Sequence, residues 1–519
     1  VRRAGLLLAL LLAAPIAHAG SQPRSGPAEW LPVREPIRRE FERLRASGLA
    51  DTSAAYETRP LDRRTVAAVT ARARMLHPES TNPSLVRLER EFAREMVDWG
   101  WDAPKGYTTP LATAVDSSTG MRLRILAYAD GALVVTKDST EFADRSRFGG
   151  RLNVEHGGFL LHFDAYAGRV DRAREFSDQL VTDSEFIAYS EDAYGSFATG
   201  PFDVTLGRIG YAWGPGQSGS LLWSQNADPV TSLQLGATLF RHFRATAFVG
   251  DIDASQGARV AGHRIEWFPS PRLTVGIAEA ARFTSSHWEP LYLVPVLPYT
   301  WVQRMLNHDQ IDRPDAVPAE VRNNVMGALD ASWRATNGVV LYGEFLLDDQ
   351  GLKVGGSPSR IGYQAGALGT LENGLGEWTG RLEYARVYRY VYSVFYGEDF
   401  IHHGKPIGYP AGPDSRSVFA DARWSPNADW EFGLGGRQLE HGEGTLGEFF
   451  DPDSGAAEGS ALSGVVERTR GVTAEARWWP RDGIDLSAAA DRDWIANAGH
   501  IDGREETRWA LRFAVRLHK

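Results

Sequence analysis

The side chains best suited to chemistry in this sequence are carboxylates that recur opposite aliphatic residues. Glu266, Glu279, Asp330, Glu344, Asp348, Glu383 and Glu475, together with Arg381 and Arg477, fall on the polar positions of alternating segments. Two carboxylates facing one sugar are the equipment of a glycoside hydrolase, one protonating the leaving oxygen and one acting as nucleophile or base. The same acids and bases turned into the lumen of a membrane barrel pair across strands as polar filling. Structural ion pairs imitate active sites, and the expectation here is filling, with no enzymatic activity.

A second chemistry is suggested by "GRIGYAWGPGQSGSLLWSQNADP", residues 207–229, which sets Trp213 and Trp223 either side of a glycine- and proline-broken turn. A sugar ring offers an apolar C–H face to an aromatic while amides and carboxylates bind its hydroxyls. Gln217, Ser224, Gln225, Asn226 and Asp228 are the polar neighbours. The alternative is that the two tryptophans belong to an aromatic girdle or brace a loop folded into a lumen. A later connection, 283–321, carries Trp288, Tyr292, Tyr299 and Trp301 among five prolines. It reads as an ordered lid over the mouth, since its length far exceeds ordinary hairpin loops.

Other chemistries find no support. No G-x-x-x-x-G-K-[ST], H-E-x-x-H or G-x-S-x-G motif occurs, and "GPGQSGS" misses the last in register. His402 and His403 are adjacent, and adjacent strand residues point to opposite faces, so a shared metal is not expected. "DPDSGAAEG" has too few oxygen ligands for a calcium loop. No cofactor and no metal are expected. The net charge of -10 argues against nucleic acid, because no basic surface would offset phosphate repulsion.

The elements that position these groups change character along the chain. Arg2 and Arg3, the apolar run from Leu6 to Ile16 and Ala17-His18-Ala19 read as a cleaved signal peptide over 1–19. The 519 residues include no cysteine, so the exported chain must be held by its own packing or barrel closure. Residues 20–115 read as a periplasmic helical segment. Ile37, Phe41 and Leu44 repeat at helical spacing before Gly48, Asp62 caps a second run, and Asn82-Pro83 opens a third containing Leu85, Leu88, Phe92 and Met96.

From 116 to 519 the period becomes two. Val339, Leu341, Phe345 and Leu347 oppose Tyr342, Glu344 and Asp348; Val472, Ala474, Ala476 and Trp478 oppose Thr473, Glu475 and Arg477. Alternation alone also fits a soluble sandwich. Two features favour a transmembrane barrel. Strands end on tryptophan at tight turns, as in "EWFPSPRLTVGI" and "RWWPRDGIDLSA", which suits an interfacial girdle. Short turns also alternate with long connections at 283–321, 395–413, 442–462 and 494–504. About 19 candidate strands follow Met121; setting aside the weak "MRLRILAYA" leaves roughly 18, the even number that returns both termini to the periplasm. On that count 213–228 lies on the outside.

Here the sequence resembles the Wzi-type capsule assembly family, through "GRIGYAWGPGQSGSLLWSQNADP", "PLYLVPVLPYTWVQRMLNHDQ" and "NNVMGALDASWRATNGVVLYGEFLLDD", with "TRPLDRRTVAAV" in the helical part. The resemblance implies an outer-membrane β-barrel with a helical bundle at its periplasmic side; with the strand count above, the expected fold is an all-β transmembrane barrel of about 18 antiparallel strands preceded by a small periplasmic helical bundle. It implies a lectin-like role in capsule assembly, with capsular or surface polysaccharide, outer-membrane lipid and other capsule export components as partners. The polysaccharide site is expected at Trp213, Trp223, Gln225, Asn226, Trp288, Tyr292, Tyr299 and Trp301. A solute channel is the runner-up reading, and an exported glycan-cleaving enzyme the third.

Overall fold

The computed structural model describes residues 29–518 except 35, 104–106, 108, 138–139, 143–145, 170–185, 307–321, 349–358, 395–397, 449 and 451–460. The expected signal segment lies outside the described residues. Eighteen strands form one closed antiparallel barrel. They are β1 (Arg122–Thr136), β2 (Arg147–His156), β3 (Phe159–Arg169), β4 (Phe186–Thr199), β5 (Phe202–Ile209) and β6 (Val230–Leu239). Next come β7 (Phe243–Asp253), β8 (Ala258–Ser270), β9 (Leu273–Thr284), β10 (Arg322–Thr336), β11 (Val339–Asp348) and β12 (Ile361–Asn373). The last six are β13 (Gly376–Val387), β14 (Ser415–Asn427), β15 (Trp430–His441), β16 (Glu467–Arg481), β17 (Ile484–Ala496) and β18 (Glu505–His518). Chain neighbours pair, and β18 closes on β1 with Arg516 opposite Asp130.

Alternation sets the two faces. On β11, Val339, Leu341, Phe345 and Leu347 are exposed on the outside, while Tyr342, Glu344 and Asp348 are buried on the lumen side. On β18, Trp509, Leu511, Phe513, Val515 and Leu517 share the outer face. Burying strand edges by closure and facing lipid with apolar side chains is the barrel solution to a bilayer. No helix among the described residues is long and apolar enough to cross a membrane.

The tight turns gather on one rim, where Trp378 stacks on Trp424 at 5.5 Å and Trp430 on Trp478 at 5.3 Å. That rim is the periplasmic one, and its stacked indoles are the girdle expected from the sequence. Opposite it most connections are long, although β7 and β8 are joined by only 254–257. One expectation needs correcting: "MRLRILAYA" is not a weak extra but the start of β1, which runs on through "DGALVVT" as a single 15-residue strand. Barrel closure requires it, since β18 pairs with nothing else on that side among the described residues.

The helices cap as their sequences dictate. Asp62 accepts from the Arg64 and Thr65 N–H groups at the start of α2 (Arg63–Leu76), and Asn82 accepts from Leu85 N–H at the start of α3 (Pro83–Glu91). α1 (Ile37–Ser47) stops at Gly48, φ 89°, a left-handed stop that suits glycine. The expected third helix is broken at Phe92, and α4 (Ala93–Asp98) continues it. Phe41, Leu44, Val66, Val69, Leu85 and Leu88 bury one another.

Candidate functional site

The helical segment lies at the short-turn, periplasmic end, as expected, and plugs the barrel there by bonding to the inner wall and the turns. Arg43 of α1 donates to Glu431 on the inner face of β15 at 2.5 Å, and Arg381 of β13 donates to Glu42 at 2.6 Å. Arg87 of α3 reaches the carbonyls of Asn427, Ala428 and Trp430 at the β14–β15 turn. Burial alone would raise the Glu42 carboxyl, but Arg38 and Arg381 outweigh it and hold it at about 2. The stability its ion pairs contribute is therefore complete above the ordinary carboxylate range and is lost as pH falls towards 2.

From α1 the chain climbs the lumen, where residues 58–59 pair with 212–213 as a two-stranded ribbon. The stretch 207–229 thus descends from the outer rim to meet it. Trp213 N–H donates to Trp223 carbonyl at 2.8 Å, and Gly214 N–H to Glu57 carbonyl at 2.9 Å. Three wall carboxylates hold this contact. Glu344 accepts from Gly216 N–H at 2.8 Å and Leu221 N–H at 2.7 Å. Glu383 accepts from Gln217 N–H at 2.9 Å, Ser218 N–H at 2.8 Å and Tyr342 hydroxyl at 2.8 Å. Glu266 accepts from Tyr56 N–H at 2.8 Å and Glu57 N–H at 3.1 Å. Gly214, φ 112°, lets the backbone come this close, because a Cβ there would collide with the Glu344 carboxylate.

This arrangement corrects two expectations. The inward acids are only partly cross-strand filling. Arg264 does bind Asp330, at 2.9 Å through Nη2, but Glu344 and Glu383 clamp backbone N–H groups of the 207–229 connection, and Glu266 those of the N-terminal segment at Tyr56 and Glu57. Trp213 and Trp223 do not form an exposed sugar platform at the outer mouth: they are 2 % and 0 % exposed, inside the lumen. Tyr211 stacks on Phe248 at 4.1 Å, while Trp223 meets Phe248 and Phe400 edge-on at 5.0 and 5.8 Å. A turn without regular backbone can bury tryptophans here because the wall carboxylates satisfy its N–H groups.

A second connection, 388–414, locks down on the first. Tyr392 hydroxyl donates to Leu221 carbonyl at 2.6 Å, and Ile407 and Phe400 join the same apolar cluster. Gln225 and Asn226, both half-buried, spend their amides on Gln217 carbonyl and Pro406 carbonyl, at 3.1 and 3.3 Å. The His402 and His403 rings, expected to point apart, lie 4.1 Å from each other, because His403 turns left-handed at φ 49°. Burial pushes His402 down to about 3, and His403 Nδ1 lies 3.0 Å from Asp228. Among the described residues no group of three or more His, Asp or Glu side chains is placed to hold a metal.

The described part of the expected lid, up to Leu306, is instead a collar on the outer wall; 307–321 lie outside the described residues. Val249, Ala261, Ala281 and Phe283 have the parity of the lipid-facing positions, and Tyr292, Tyr299 and Val302 bury themselves against them. Tyr299 opens α5 (Tyr299–Leu306), and its N–H donates to Glu279 at 2.7 Å. Glu279 is therefore not a lumen charge. It faces outward beside His263 at 3.2 Å, covered by the collar, which is how a charge survives on that wall. Trp288 is half-buried, while Trp301 is 56 % exposed and shares the collar's outer surface with Val296 and Met305.

Those apolar side chains continue the lipid-facing band of Ile277 and Leu329 below them. With no native cysteine to compete, a single spin label at Trp301→Cys reports the surroundings directly. In reconstituted bilayers it is expected to collide with oxygen and to be shielded from a water-soluble relaxant. Relaxation chiefly by the aqueous reagent would place the collar in water.

The open polar surface lies elsewhere, and no motif marked it. On the inner wall of β15–β18, Arg437, Arg508 and Arg512 face the lumen yet are 51 %, 67 % and 52 % exposed. Arg437 pairs with Asp493 at 2.8 Å, Arg512 with Asp491 and Arg508 with Glu506, also at 2.8 Å. The available signal was the inward spacing of Arg508, Arg512 and Arg516 along β18 between the small residues Ala510 and Ala514. Towards the short-turn rim a cavity of about 210 Å³ remains between plug and wall, lined by Arg94, Tyr128, Arg147, Asp482 and His518 among others. Arg94 and Arg147 are neutralised there, by Glu29 at 2.8 Å and Glu191 at 2.6 Å.

The family model described as capsule assembly protein Wzi matches residues 116–507. Among solved structures, the chain is similar to Wzi of Escherichia coli, described as an outer membrane protein involved in group 1 capsule assembly and a carbohydrate-binding β-barrel. That match has 13 % identity and a TM-score of 0.62, covering 94 % of this chain and 99 % of that one. OprD of Pseudomonas aeruginosa matches at 12 % identity and a TM-score of 0.43, over 76 % of this chain and 95 % of its own. DcaP of Acinetobacter baumannii, an outer membrane channel, matches at 10 % identity and 0.39, over 79 % and 100 %. No curated protein matches in sequence. With most of its barrel matched by the family model, this outer-membrane chain belongs to the Wzi capsule assembly family.

Proposed function

We infer that this protein binds capsular polysaccharide at the cell surface and does not cleave it. The observation that carries the reading is the open inner wall of β15–β18, in a barrel whose other side is filled by the plug and two loops. Arginine forks alternating with carboxylates offer planar donors and acceptors to a hydroxyl-rich or acidic polymer. The solved Wzi is described as carbohydrate-binding, which supports the same reading. The non-catalytic part is supported by how the inward carboxylates are used: Glu344, Glu383 and Glu266 are buried and engaged with backbone N–H groups. Contact with other capsule export components belongs to the short-turn face, where the helices lie.

The test is the double variant Arg508→Gln, Arg512→Gln. Polysaccharide retained per folded barrel is expected to fall several-fold, because a long polymer spans many copies and avidity multiplies small losses. Incubation with wild-type protein should leave polymer length unchanged. Full retention by the double variant removes this wall from the site, and shortening of the polymer revives the enzyme.

A further inference from the structure

The outside of the barrel carries charge where a lipid-facing wall should carry little. On β14, β15 and β16 the outward positions rise from the stacked tryptophans through exposed Val418, Leu434 and Val472 to a rim of arginines. Arg416, Arg468 and Arg470 share the parity of Val418 and Val472 on their own strands, and Arg492 on β17 shares that of exposed Trp494. The register sets Arg416 opposite Glu440 and Glu440 opposite Arg468, so two guanidiniums flank one carboxylate. Glu440 is buried between them, accepting from Arg416 Nε and Arg468 Nε at 2.7 Å and from Gln438 Nε2 at 3.0 Å. The arginine side chains remain 48 % and 44 % exposed.

Arg470 donates through Nε to Gln438 Oε1 at 3.1 Å, and Arg492 lies 5.2 Å over the Trp494 ring. The outward positions of β14–β18 carry these four arginines and only two acids, the buried Glu440 and Glu505 at the outer end of β18. From Trp424 and Trp478 up to Arg416 and Arg470 is roughly eight residues, about 26 Å of strand. A tilt of about 40° makes this about 20 Å of height, most of an apolar band about 25 Å tall. The arginines therefore emerge at the headgroup level of the outer leaflet.

We propose that this rim binds the phosphate groups of a phosphorylated lipid in the outer leaflet. Guanidinium forks match phosphate oxygens bidentately and stay charged at physiological pH. Basic clusters at headgroup depth attract anionic lipid, and the apolar wall directly below offers its acyl chains a surface. Glu440 sets the spacing of the two central guanidiniums. The site lies on the opposite side of the wall from the inner arginines and does not depend on polysaccharide binding.

The test uses full-length barrel and phosphatidylcholine vesicles containing either bisphosphorylated lipid A or the same lipid stripped of phosphate. Wild type is expected to bind the phosphorylated form at least about tenfold more tightly, since removing one charge-assisted hydrogen bond carries a penalty of that order. Arg416→Gln, Arg468→Gln, Arg470→Gln together should abolish the preference while leaving heat-modifiability and polysaccharide retention intact. The inner pair Arg508→Gln, Arg512→Gln should leave the lipid preference unchanged, so failure of the polysaccharide reading is distinguishable. If the triple variant does not assemble, Arg470→Gln with Arg492→Gln, neither touching Glu440, must show a weakened preference. Equal binding of both lipids by wild type, or an undiminished preference in the outer variants, overturns the proposal. So does displacement of the lipid by millimolar inorganic phosphate or by acidic polysaccharide.

Discussion

Replacing Glu344 and Glu383 together by alanine is expected to open the barrel to ions. Between them these carboxylates accept the N–H groups of Gly216, Gln217, Ser218 and Leu221. Each buried donor left without a partner costs on the order of 1–3 kcal/mol; Gly216 and Leu221 are buried and Gln217 and Ser218 half-buried, all on one short loop with no regular backbone of its own. The loop then loses its polar anchors to the wall and keeps only its tryptophan packing and the Arg59 hydrogen bond to Gly214 carbonyl at 3.0 Å, so the segment between the two tryptophans lifts away from the wall and admits water. The barrel wall is untouched, because its strand ladder does not involve these side chains. In planar bilayers the double variant should conduct where wild type scarcely does, with a normal heat-modifiable shift. Glu344→Gln keeps one acceptor oxygen and should show a much smaller change. A folded double variant with wild-type conductance would mean that the carboxylates do not hold the loop that fills the lumen.

Trp213→Ala and Trp223→Ala should each destabilise the folded barrel by about 3–5 kcal/mol, the range for truncating a large buried aromatic. Both indoles sit in one cluster with Tyr211, Leu221, Phe248 and Phe400, so the two effects should not simply add. Neither indole N–H has a partner among the described residues, so packing rather than hydrogen bonding is what each substitution removes. Phenylalanine at either position should therefore cost clearly less than alanine. The measurement is the temperature at which the compact electrophoretic form disappears, taken alongside polysaccharide bound per folded barrel. The first should drop and the second stay constant. Weaker retention with unchanged thermal behaviour would return the tryptophans to a binding role.

The sequence by itself determined the barrel and most of its faces, because these rest on short-range periodicity. Between Val339 and Asp348 the outward Val339, Leu341, Phe345 and Leu347 oppose Tyr342, Glu344 and Asp348, so lipid and lumen sides follow from strand geometry even though Val340 and Leu346 also turn inward. Asp62 and Asn82 announced helix starts for an equally local reason, an oxygen within reach of its own next N–H groups. Even Glu279 was legible in part: it shares parity with Val275 and Ile277, and register outranked the rule that charges turn inward. What hid it was Tyr299, whose N–H covers that carboxylate from the collar.

Where the long connections go was decided only by tertiary structure. Nothing within reach of Trp213 along the chain says that a carboxylate at position 344 will hold the neighbouring backbone, or that Phe248 will fill the space beside Tyr211. A glycine-rich stretch with two tryptophans fits an exposed sugar platform and a loop buried in the lumen equally well until those distant groups are in place. The choice is physical: backbone N–H groups leave water only where fixed acceptors wait for them. Those acceptors come together only when the barrel closes.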